Sequence, residues 1–179
     1  LDPYLGMLRS LDKGAALFFG PWADQLETVG GSDPVQLEAL AARIDDLPSL
    51  HTLALSTHVR TKPETFASIA QHLSTALAPI RNLILGITSI DSYSELTGLG
   101  IVLDAIDSEL DLLDMRECRY TKLEGEAGVA FAREHFIDTG LGARVGELIL
   151  SELVGAQVVA YLRENGVNVT SPVEASAED

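Results

Sequence analysis

Four aspartates, Asp104, Asp107, Asp111 and Asp114, recur at intervals of three and four residues. On a helix this spacing places them in one stripe, where neighbouring carboxylates lie about 5–6 Å apart and repel by a few tenths of a kcal/mol per pair. A chain that keeps such a stripe gains from solvent or from an opposing basic surface, so the four are read as a steering face for a basic partner. Calcium fits less well, because its oxygen cage usually comes from a loop and no EF-hand spacing is present. His51 and His58 are seven residues apart, two helical turns, which is too far to share a metal without further ligands. His72 and His135 have no Glu-x-x-His partner, and no His-Glu-x-x-His occurs. A haem ligated by His72 is weighed and set aside in favour of a hydrogen-bonded histidine.

Cys118 lies between Arg116 and Arg119, and nearby cations favour a thiolate. A nucleophile also needs a base and an oxyanion site, which the sequence does not identify, so Cys118 is read as a structural thiol. The glycines at 140, 142 and 146 approach a dinucleotide fingerprint, but the third comes one residue late. Arg133-Glu134-His135 also stands where a buried strand should lead in. Gly142 and Gly146, one helical turn apart, instead suit close approach of a neighbouring helix. No Gly-x-Ser-x-Gly elbow and no glycine-lysine phosphate loop occurs. No catalytic residue, cofactor or metal is expected.

The 179 residues carry 12 Lys+Arg against 27 Asp+Glu, a formal charge of −15, and 46% are apolar. The charge disfavours nonspecific binding to nucleic acid or anionic membranes. The apolar share is high for so acidic a chain, which predicts a rich core with some surface covered by another protein or a second copy. Four of the ten aromatics, Tyr4, Phe18, Phe19 and Trp22, fall in the first stretch. Of these, Phe18, Phe19 and Trp22 are expected to contact the partner. A single cysteine cannot form an internal disulfide, which suits a reducing compartment, and cytoplasm is expected. No secretory signal pattern opens at Leu1.

The elements that would carry these residues read as helices. Asp2-Pro3 starts one that ends by Gly20-Pro21, and Ser32-Asp33-Pro34 starts a second that stops before Pro48. Residues 49–60 are ambiguous and are assigned to helix; the run from Thr61 kinks or splits at Pro79, leaving a very apolar Ile80 to Ile90. Further helices are expected over 94–122 and 127–137. The last, Gly142 to Leu162, is apolar on nearly every side, and only Glu147 and Glu152 keep it from resembling a membrane span.

The expected fold is therefore all-α: a single-domain bundle of six to eight helices over residues 1–165, built around Gly142–Leu162, with a disordered acidic tail over 166–179. No repeat of solenoid length is read. The expected function is non-enzymatic protein–protein association, as a homo-oligomer or as the acidic partner of a basic protein. The alternative is a small-molecule sensor or helical enzyme with an apolar pocket between Ile80–Ile90 and the central helix.

Overall fold

The computed structural model describes residues 28–31, 50–57, 80–87, 92–118 and 123–174. Their organising pattern is an aliphatic triplet at i, i+3 and i+5. It occurs as Leu50, Leu53, Leu55; Ile80, Leu83, Leu85; Leu110, Leu113, Met115; and Val145, Leu148, Leu150. The last two members of each triplet are two residues apart, the period that sends side chains to the same face of a strand. Each triplet accordingly contributes a strand: β2 Thr52–Thr57, β3 Asn82–Ile87, β4 Leu110–Met115 and β5 Val145–Leu150. A four-residue β1, Thr28–Gly31, and a two-residue β6, Val169–Thr170, complete the sheet.

The six described strands are parallel, and their order across the sheet is their order in the chain, from β1 to β6. Sequential parallel order requires every crossover to step the same way. With right-handed crossovers, the connecting helices then fall on one face of the sheet. The described connections are α1, Ser92–Asp104; α2, Gly125–Ala132, which runs into a π-helical segment, Arg133–Asp138; the short α3, Leu141–Arg144; and α4, Ala156–Glu164. Gly140 begins α3 with φ +72, a left-handed conformation that glycine adopts without a Cβ penalty.

The core lies between the sheet and these helices. Leu53, Leu83, Leu113, Leu148 and Val169 stand in one cross-strand row. They meet Leu99, Val102 and Leu103 of α1 and Val158, Val159 and Leu162 of α4 in a single buried cluster. At about 1.5–3 kcal/mol for each aliphatic side chain removed from water, this row is the main local reason the repeats stack.

The all-α expectation is thereby overturned. Gly142–Leu162 is not one helix: it comprises α3, strand β5, a turn through Ser151–Gly155 and α4. The described part of the stretch 94–122 divides into most of α1 and strand β4, and Ile80–Ile90 holds β3. Residues 49–60, assigned to helix, contain β2. The physical reason is shared: Leu110 and Leu113, three apart, imitate helical spacing, but Leu113 and Met115 belong to strand alternation. The tail expectation fails over 166–174, where Val167 and Val169 are buried and Val169–Thr170 pairs with Leu148–Ile149. The helix expected over 127–137 corresponds to α2 and the π-helical segment. The two helices expected before Pro48 and the run over 61–79 lie outside the described residues.

Candidate functional site

Among the described residues the helices pack on one side of the sheet, and none covers the other side. The residues there follow from strand alternation, since those between the core positions must point away from the helices. One register row crosses all six strands: Gly30, Ala54, Ile84, Asp114, Ile149 and Thr170. The adjacent row holds Thr52, Asn82, Leu112 and Glu147. Ala54, Ile84, Leu112 and Ile149 are half-buried, yet none belongs to the aliphatic cluster beneath the helices or packs onto it. The neighbouring polar groups are tied laterally. Asn82 donates from Nδ2 to Thr52 Oγ1 at 3.1 Å, and Thr170 donates from Oγ1 to Glu147 Oε1 at 2.9 Å. Cross-strand bonds of this kind hold side chains in fixed positions on a rigid platform.

At the middle of the apolar row stands a carboxylate. The Asp114 side chain is only 8% exposed, flanked in register by Ile84 and Ile149. Burial raises its pKa, but Arg116 offsets this and the carboxyl titrates below its ordinary value. Arg116 donates from Nε to both carboxylate oxygens at 3.1 Å and from Nη2 to Oδ2 at 2.6 Å. Its backbone N–H donates to Oδ1 at 3.0 Å. Reciprocally, the hydrogen bonds and charge of Asp114 raise the Arg116 pKa. The guanidinium is 60% exposed and is held in one orientation by a two-residue loop-back.

Beyond Arg116, at the C-terminal ends of β4 and β5, lies a cavity of about 430 Å³ lined by Arg116, Glu117, Leu150, Glu152, Leu153 and Pro172 among others. A smaller one of about 240 Å³ lies on the helical side, between α2 and α4. The pocket anticipated between Ile80–Ile90 and Gly142–Leu162 presumed a central helix; in the structure the two stretches contribute β3 and β5, with β4 between them.

The structure disperses the aspartate stripe. Asp104 ends α1, where its Oδ1 meets His135 Nδ1 at 2.7 Å. Asp107 is exposed in the loop that follows, and Asp111 pairs with Arg81 at 3.7 Å with both side chains exposed. Only Asp114 reaches the open face. The four therefore do not form a common surface, and the helix that would have aligned them does not exist. Phe18, Phe19, Trp22, His58 and His72 lie outside the described residues.

Cys118 is buried, and its Sγ–H donates to the Leu85 carbonyl at 3.1 Å, joining β3 to the end of β4. His135 stacks against Phe131 at 4.4 Å between ring centroids and over Gly100, where a Cβ would come within 2.5 Å of the ring. Gly142 and Gly146 do sit at close approaches, but not between helices. A Cβ on Gly142 would meet Val167 at 2.6 Å, and one on Gly146 would meet the Asp111 carbonyl oxygen of the adjacent strand at 2.8 Å.

Among the described residues no group of three or more His, Cys, Asp or Glu side chains is placed to hold a metal, and no helix is long and apolar enough to cross a membrane. The residues that sequence reasoning missed are Ile84, Leu112, Arg116, Glu147 and Ile149. A signal for the first of them existed. Residues 54, 84 and 114 are spaced thirty apart and hold one position in the repeat, as Leu53, Leu83 and Leu113 do.

The described residues together define a parallel sheet with alternating helices, one side of which is covered by no described element. No protein-family model, curated protein or solved structure matches the chain.

Proposed function

We propose that this chain acts without catalysis, by protein–protein association through the open face of its sheet. The carrying observation is the row Ala54, Ile84, Ile149 with neighbouring Leu112. These are aliphatic side chains at register positions facing away from the helices, and the molecule's own core does not absorb them. The recurrent aliphatic triplet resembles the L-x-x-L-x-L part of the leucine-rich pattern, whose strands line one continuous surface, and the triplet ending at Met115 alone is followed by its Cys, Cys118. Repeat arrays of this kind present extended surfaces suited to macromolecular partners. The acid balance of the chain favours a protein over nucleic acid or an anionic membrane. A single buried thiol suits a reducing compartment such as the cytoplasm.

The test is site-specific photo-crosslinking in cells. A photoreactive residue at position 149 samples the open face, and one at the exposed Ala160 of α4 samples the helical face. Protein adducts from position 149 and not from 160 are expected, whether to a second copy or to another chain. Adducts from 160 alone, or none from 149, would overturn the reading.

A further inference from the structure

We propose that Arg163 latches the outer edge of β6, and that releasing it turns this edge into a strand-pairing site for β6 of a second copy. The surface concerned is the rim of the sheet, distinct from its open face. Leu148 donates its backbone N–H to the Asn168 carbonyl at 2.9 Å and stands opposite Val169 in the parallel register. In such a ladder Leu148 bonds to the two neighbours of its opposite residue, Asn168 and Thr170, so the N–H and C=O of Val169 point away from β5. Among the described residues no strand lies on that outer side. A bare edge of this kind is a template for pairing with another chain.

The end of α4 reaches the edge first. Gly166 N–H donates to the Arg163 carbonyl at 2.9 Å and Val167 N–H to the Leu162 carbonyl at 3.0 Å, the two bonds of a Schellman turn, and Gly166 has the left-handed φ of +83 that this turn favours. Leu162 and Val167 are both buried, which fixes the reversal. The chain therefore doubles back beside the helix it has just left, and Arg163 stands over β6. Its Nη2 and Nε donate to the Val169 carbonyl at 2.6 and 3.2 Å. Two donors thus converge on the one acceptor of Val169 that a further strand would need.

The occupant follows from symmetry. A residue whose N–H and C=O both point outward forms the hydrogen-bonded pair of an antiparallel ladder with the same residue of an identical strand, each Val169 giving one bond and receiving one. Because β6 has only two residues, a single side chain is enough to close it.

The experiment compares the full chain with R163A, R163K and R163A/V169P by sedimentation over a concentration series and by amide exchange. An ionic strength of about 0.15 M screens the repulsion between two acidic bodies. R163A should self-associate about tenfold more tightly than the native chain, as two added backbone hydrogen bonds imply, and exchange at the Val169 amide should slow as its concentration rises. R163K keeps a donor at the edge and should behave as the native chain does. Proline at position 169 removes the outward N–H without touching the bonds to β5, so the double variant should return to native behaviour. R163A that associates no more tightly than the native chain overturns the proposal, as does association that survives the proline. Loss of protection at the Thr170 amide in R163A overturns it too, because Arg163 would then hold β6 onto β5 rather than close its edge.

Discussion

Replacing Asp114 by Asn tests whether the buried carboxylate is held by Arg116 or merely tolerated. The amide keeps one acceptor oxygen for the Arg116 backbone N–H but sets a donor against the guanidinium, so the bonds from Nε and Nη2 at 2.6–3.1 Å are weakened or lost. A hydrogen bond to a charged group contributes about 1.5–3 kcal/mol. Relief of the charge-burial cost at Asp114 and rehydration of the 60% exposed Arg116 oppose that loss, leaving a net destabilisation of about 1–2 kcal/mol at neutral pH. Urea unfolding of both proteins across pH measures it, with the slope m unchanged. The native carboxyl titrates below its ordinary 3.8. Its contribution is therefore fully present above that value and fades as pH falls through the lower native pKa. The stability gap between the native protein and the D114N variant should be flat from neutrality to about pH 5 and narrow progressively as pH falls from there through the lowered native pKa. A gap that is absent at neutral pH, or that closes well above 3.8, would show burial outweighing Arg116 and refute the reasoning.

Other perturbations separate the stacked core from the open face. Leu148→Ala removes a side chain with no exposure from the centre of the Leu113–Leu148–Val169 row and should cost about 2–5 kcal/mol in urea unfolding. Cys118→Ala loses both packing and the bond to the Leu85 carbonyl and should cost about 1–2 kcal/mol; in the native protein the thiol should react with a disulfide reagent only as fast as the structure opens. Gly100→Ala places a Cβ against the His135 ring and should destabilise by about 1–3 kcal/mol, with most of the loss recovered when His135→Ala is added, as a double-mutant cycle would measure. The combined change Asp114→Val and Arg116→Ser continues the Ile84–Ile149 aliphatic row. It should alter stability by less than about 1.5 kcal/mol, measured by urea unfolding, while changing which partners the face accepts.

What the sequence concealed is a consequence of mixed spacing. In Leu110, Leu113, Met115 the first interval has the period of a helix and the second that of a strand; a window wide enough to include both, and Asp104 and Asp107 before them, favours the helix. The same error joined β5 to α4, because Val145, Leu148, Val158 and Leu162 are all buried, though on two different elements. Burial was more legible than element type: of the eight apolar positions expected to be interior in Gly142–Leu162, Val145, Leu148, Val154, Val158, Val159 and Leu162 are in the core, whereas Ile149 and Leu153 are only half-buried and outside it. The open-face residues could not be found by type alone. Ile84 and Ile149 look like core aliphatics until the register places them beside a buried aspartate on the side away from the helices.

That placement alters the meaning of the chain's acidity. Four aspartates on one helix would have formed a simple negative stripe, whereas their dispersal pairs Asp104 with His135, Asp111 with Arg81 and Asp114 with Arg116. Two of these pairs also neutralise cations of the sheet. Glu147, in the sequence only an interruption of an apolar run, accepts from Thr170 and adds its charge to the surroundings of Arg116. On the proposed reading, the contact would come from the aliphatic row rather than from an acidic stripe. On that reading Ile149→Ser should lower the yield of protein adducts from a photoreactive residue placed at position 84, while leaving urea stability within about 1.5 kcal/mol.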